Sequence, residues 1–202
     1  MSNQQTIYIV LTHTGTLFTR FIRCFTGDPF NHASIAFDHD LREVYSFGRK
    51  MPHNPFVGGF VRENLRGGLF ARNKVQTSCA IYECDVSEDV YNLIRQRIRH
   101  LDENRDQYTY NLLGLIGVLL NKKWERKNKY FCSQFVASLF EYAGAPLVDK
   151  PSSFVTPGDI GRSPHLRQIY VGPLQQYLAM LDYGVAPSPY YLLTGPFRRT
   201  SA

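Results

Sequence analysis

The pattern of apolar and polar positions changes period several times along the chain. "TIYIVLTH", Thr6 to His13, is rich in β-branched and aromatic residues and reads as a strand. In "GTLFTRFIRCF" the apolar residues Leu17, Phe21, Cys24 and Phe25 instead fall on one helical face, and "TGDPFN" stops that helix. "HASIAFD" and "REVYSFG" are strand-like again, and the short link from Asp38 to Leu41 makes an antiparallel hairpin the economical reading. From Arg49 to Asn73 the Gly and Pro content predicts a long loop with little regular structure. Glycines 58, 59, 67 and 68 permit hinge-like motion there, so the loop is expected to border a cleft as a lid.

"TSCAIYECDV" is a further strand. "SEDVYNLIRQRIRHLDENRD" opens on a capping-type Ser87 and spaces Val90, Leu93, Ile94, Ile98 and Leu101 as a helix. The apolar "YNLLGLIGVLL" predicts a buried helix too short to span a bilayer. A further helix starts at Cys132 in "NKYFCSQFVASLFEYAG", and Gly144 and Pro146 end it. In "VTPGDIG" Thr156 is placed to cap one short turn, and "LRQIYVGP" returns as a strand. The order of elements predicts an α+β domain over residues 1–180, with an antiparallel sheet packed against helices. Residues 181–202 read as a Pro-rich, aromatic and basic tail that packs on the surface or binds a partner.

Cys132 lies on the inward face of its helix with Val136, Leu139 and Ala143, so it reads either as a small core filler or as a nucleophile. At the first turn, unpaired amides and the helix dipole would stabilise a thiolate. The six histidines offer it one well-placed base, His32, which a strand start would hold rigidly. Cys24 and Cys79 sit within apolar patterns, and Cys84 lies beside Glu83 and Asp85, whose charges oppose a thiolate. His13 or Thr12, just past the first strand, could approach such a site but read first as structural or surface groups, and Gln134 points around the helix and reads as a surface or supporting residue.

Composition adds limits. The 202 residues suit one domain, with 44% hydrophobic and 20% charged residues. The four cysteines, Cys24, Cys79, Cys84 and Cys132, form no CxxC pair and no Cys/His zinc spacing, so they read as free thiols in a reducing compartment, and no metal or cofactor is expected. The N-terminal segment lacks a basic region and a long apolar run, which points to the cytoplasm. Net charge is +6, and residues 121–129, "NKKWERKNK", hold five bases against one acid. This basic loop beside Cys132 suits an anionic ligand or a membrane surface. No zinc-finger spacing or RNA-binding sheet motif is present, and nucleic acid is not expected as a partner.

"NHASIAFD", "VYSFG", "YFCSQFV" and "VTPGDIG", taken in that order, resemble the circularly permuted papain-like thiol hydrolases of the NlpC superfamily, relatives of the lecithin retinol acyltransferase-like proteins. In the permuted group the histidine strand precedes the cysteine helix, as His32 precedes Cys132. The resemblance spans about residues 6 to 165 and implies a permuted papain-like domain, with Cys132 as nucleophile and His32 as general base. A third residue, on the strand after the histidine, would orient the imidazole. If paired positions on the hairpin sum to an even number, Ser46 shares the face of His32; if odd, Glu43 does. Ser46 matches the family position better, while Glu43 would supply charge. The implied activity is hydrolysis of a peptide or isopeptide-type amide, in a peptide or acyl small-molecule substrate. The alternatives are an acyltransferase or lipid esterase at a membrane surface, suggested by Trp124 and residues 111–120, and an inert binding module.

Overall fold

The structure, a computed structural model, describes residues 4–13, 28–49, 58–67, 77–111 and 128–185. The predicted helix around Cys24, most of the apolar stretch 110–120, most of the basic loop 121–129 and the tail beyond 185 lie outside these residues.

Six strands form one antiparallel sheet: β1 (Gln4–His13), β2 (His32–Ala36), β3 (Val44–Arg49), β4 (Gly58–Glu63), β5 (Ser78–Ser87) and β8 (Arg167–Pro173), in the order β4-β3-β2-β1-β5-β8. A small parallel pair, β6 (Thr109–Tyr110) and β7 (Lys129–Tyr130), forms a second sheet. Among the described residues four α-helices accompany the strands: α1 (Glu88–Glu103), α2 (Cys132–Tyr142), α3 (Pro157–Gly161) and α4 (Leu174–Asp182). The chain is therefore α+β, an antiparallel sheet packed against helices. Among the described residues no helix is long and apolar enough to cross a membrane.

Strand alternation divides the sheet into two faces. On one, Ile9, Leu11, Ala33, Ile35, Phe47, Phe60 and Ala80 meet Ile94 and Ile98 of α1 and Phe135, Val136 and Leu139 of α2. On the other, Val10, Ala36, Val44 and Ile81 meet Leu174, Tyr177 and Leu178 of α4. The helix α1 starts where Ser87 Oγ accepts the Val90 amide, with Glu88 and Asp89 in the first turn where the helix dipole favours acids.

Two expectations change. Residues 58–63 form β4, paired with all of β3 from Val44↔Glu63 to Arg49↔Gly58, although they had read as loop. Gly58 marks a close packing point rather than a hinge: a Cβ there would lie 2.8 Å from the Gly48 carbonyl oxygen and 2.9 Å from Tyr110 Cβ. The remainder of the expected lid, at 50–57 and 68–73, lies outside the described residues. The second change is Leu174–Asp182, which forms α4 and runs two residues into the expected tail at 181–202.

Candidate active site

The hairpin register decides which residues can meet His32. Ile35 faces Tyr45 and Ala36 faces Val44, an even register, so Ser46 stands on the same face as His32. Glu43 belongs elsewhere: it accepts from Tyr45 Oη at 2.9 Å and pairs with Arg95 Nη1 at 2.5 Å. Across the next ladder Ser46 faces Val61 and Val44 faces Glu63, which brings Glu63 of β4 onto the His32 face as well.

Glu63 is the hub of this face. Its Oε1 lies 2.7 Å from His32 Nε2 and accepts from Ser46 Oγ at 2.5 Å, while Oε2 accepts from Ser34 Oγ at 3.0 Å. The side chain is 8% exposed, so the carboxylate is held by three donors with little water. Burial alone would raise its pKa, but the His32 charge and the three hydrogen bonds bring it below the usual value. Ser46, favoured from sequence as the group orienting the imidazole, thus donates to the carboxylate that contacts the imidazole. Glu63 was missed because its strand read as loop.

His32 Nε2 lies 2.7 Å from Glu63 Oε1, and the imidazole and the Cys132 thiol favour each other's charged forms. With Nε2 directed at Glu63, Nδ1 is the nitrogen left for the sulfur. Burial opposes the imidazolium, yet the Glu63 carboxylate and the hydrogen bonds to Cys132 and Glu63 outweigh it and shift the His32 pKa upward. The Cys132 thiol is shifted the other way. Burial opposes the thiolate, whereas His32 and the backbone amides of Ala33 and Ser133 favour it, with a net lowering.

The Ala33 amide is available for a structural reason. Phe37 N–H donates across the hairpin to the Glu43 carbonyl at 3.1 Å, and residues of the same parity along β2, including Ala33, turn their amides toward β3. The β2–β3 ladder stops at Ile35↔Tyr45, although β3 continues beside β4 as far as Arg49. Beyond that point the two strands part, and the start of α2 brings Cys132 to the free amide. The Asn31 carbonyl oxygen is 4.0 Å from the sulfur.

Neighbouring contacts fix both partners. Gln134 is buried and its Oε1 accepts the Phe131 amide at 3.4 Å, capping the start of α2; of the two readings from sequence, a surface residue or a supporting one, it is the supporting one. Ser133 Oγ donates to the Val155 carbonyl at 2.7 Å. Ahead of β2, Asn31 N–H donates to the Thr12 carbonyl at 3.1 Å and Asn31 Nδ2 lies 2.7 Å from His13 Nδ1. Asp28, 6% exposed, joins Thr156 Oγ1 at 3.1 Å and Arg162 Nη1 at 3.0 Å. Thr156 caps α3 with Asp159 in a reciprocal box, as expected for "VTPGDIG". The segments before His32 and after the cysteine helix are thereby bound to each other.

Cys79 and Cys84 offer no comparable site. Burial alone pushes Cys79 up, and burial with the Asp85 charge pushes Cys84 up to about 11. Among the described residues no group of three or more His, Cys, Asp or Glu side chains could hold a metal ion. No protein-family model and no curated protein matches the chain.

Proposed function

We propose that the protein is a cysteine hydrolase of the permuted papain-like type, cleaving a peptide or isopeptide-type amide. One observation carries this reading: a buried thiol at a helix start and an imidazole favour each other's charged forms, and the imidazole is held through Nε2 by a buried carboxylate. Cys132 is the nucleophile, His32 the acid and base, and Glu63 the group that orients His32 and maintains its charge. The thiolate adds to the amide carbon, the imidazolium donates its proton to the departing amine, and the resulting neutral imidazole deprotonates the water that releases the acyl group. The pairing of depressed thiol and raised imidazole values is the arrangement such a nucleophile needs near neutral pH.

The test has two parts. Iodoacetamide at pH 6 to 7, followed by peptide mapping, should label Cys132 before Cys84 and Cys79, and His32→Ala should slow that labelling without unfolding the protein. A mixture of short peptides incubated with wild-type protein should then show cleavage products that Cys132→Ala abolishes and Cys84→Ala retains. Labelling of Cys84 first, with Cys132 resistant until denaturation, would refute the hydrolase reading and favour an inert binding module.

A further inference from the structure

We infer that Thr12 is a catalytic residue, its hydroxyl donating a hydrogen bond to the acyl oxygen of the substrate as negative charge develops there. The inference rests on the thiol-hydrolase reading and extends it to a residue outside the Cys132, His32 and Glu63 relay.

Thr12 is the register partner of His32 on the neighbouring strand, which places the two side chains on one face, about 5 Å apart at Cβ. Its backbone carbonyl accepts the Asn31 amide, and the Asn31 carbonyl in turn lies against the Cys132 sulfur. Thr12 is fully buried, yet its Oγ1 has no hydrogen-bond partner among the described residues. Three other described side chains, Thr77, Ser153 and Tyr177, also carry buried unpartnered hydroxyls, but none of them is the register partner of a site residue.

An unpaired buried hydroxyl destabilises a fold, so a position serving packing alone favours the near-isosteric valine. On the same strand and face Val10 makes that choice, packed with Ala36 and Ile81. A donor with no internal partner beside the base is instead suited to a charge that exists only during reaction. In that step the sulfur bonds to the acyl carbon and the carbonyl π pair moves onto oxygen. Thr12 Oγ–H holds this oxygen without giving up its proton. Collapse restores the carbonyl and expels the leaving group, leaving the acyl group on sulfur until water releases it.

Two reactions of the same thiol separate this role from a structural one. Acylation by p-nitrophenyl acetate passes through a tetrahedral oxyanion and expels p-nitrophenolate, whereas alkylation by iodoacetamide displaces iodide and forms no oxyanion. Thr12→Val should lower the p-nitrophenolate burst rate at least about tenfold. It should leave Cys132 alkylation within about twofold and the melting temperature unchanged or raised, since the orphan hydroxyl is gone. Thr12→Ser should restore the burst. An undiminished burst in Thr12→Val would overturn the inference while leaving the hydrolase reading intact, as would a parallel fall in both reactions. If the wild-type protein shows no burst attributable to Cys132, both readings fall together.

Discussion

Replacing Glu63 by Gln removes one charge while keeping the shape of the site, and the hydrogen-bond pattern shows why the amide fits. His32 and Ser46 both address Oε1, which the amide oxygen can replace, and Ser34 addresses Oε2, where its hydroxyl can turn to accept from the amide nitrogen. What is lost is the attraction between carboxylate and imidazolium. With the contact at 2.7 Å the charge centres lie about 4 Å apart, worth about 4 kcal/mol at an effective dielectric near 20. That corresponds to about 3 pKa units, and the hydrogen bond retained by the amide reduces the expected fall at His32 to about 2. In the wild type the His32 pKa is raised and that of Cys132 lowered, so the ion pair spans the interval between them. The substitution lowers the upper, imidazolium end of that interval. Iodoacetamide labelling of Cys132, followed by mass spectrometry from pH 5 to 10, should match wild type near pH 6.5 and slow about tenfold near pH 9, where the wild type, with His32 raised to about 10, keeps its imidazolium and the variant has lost most of its own. Superimposable profiles, with the variant folded by thermal melt, would refute the assignment of Glu63 as the group that maintains the imidazolium.

Ser46→Ala removes one of three donors to Glu63 and leaves the charge, so labelling near pH 9 should fall well short of the Glu63→Gln effect, with about 1 kcal/mol lost in urea unfolding; a loss as large as that of Glu63→Gln would return the orienting role to the serine. Gly158→Ala places a Cβ 1.9 Å from Asp28 Oδ1, so Asp28 must leave Arg162 and Thr156, a loss of about 3 kcal/mol by urea unfolding that adding Asp28→Ala should partly relieve. Burial opposes the Asp159 carboxylate, but Lys150 and Thr156 bring its pKa to about 2, below the unfolded value of 3.8. Its contribution, about 1 kcal/mol after allowance for solvent screening, is fully present above pH 4 and lost as pH falls through 2. The stability gap between wild type and Asp159→Asn should therefore close between pH 4.5 and 2.

Local signals carried most of the described fold. Alternation in "TIYIVLTH", "HASIAFD" and "TSCAIYECDV" marks strands that the sheet contains, and Ser87 and Thr156 cap the helices they were expected to cap. The hairpin register was left as two alternatives because period-2 patterns fix the face of a strand and leave its pairing undetermined until a ladder exists. Strand β4 escaped for a different reason. "GGFVRE" begins with two glycines, which ordinarily weaken a strand, and the need for them comes from Tyr110, fifty residues away in the chain, whose Cβ occupies the space a side chain at 58 would need.

The site divides along the same line. Cys132 and His32 were legible because each stands at an element boundary with its own local pattern, a helix start and a strand start. Glu63 had no such mark, being one acid among charged residues in "VRENLR". Its contact with the imidazole arises only when β4 pairs with β3 in a register that puts Glu63 opposite Val44 and on the face of Ser34, Ser46 and His32. Those two serines were the available clue. Serines set opposite each other on adjacent strands by the β2–β3 register, Ser34 and Ser46, both buried beside an apolar core, require an acceptor of two hydroxyl protons. A carboxylate satisfies both and still has a lone pair for an imidazole, so the burial of the serines and the charge of the histidine have one common cause in Glu63.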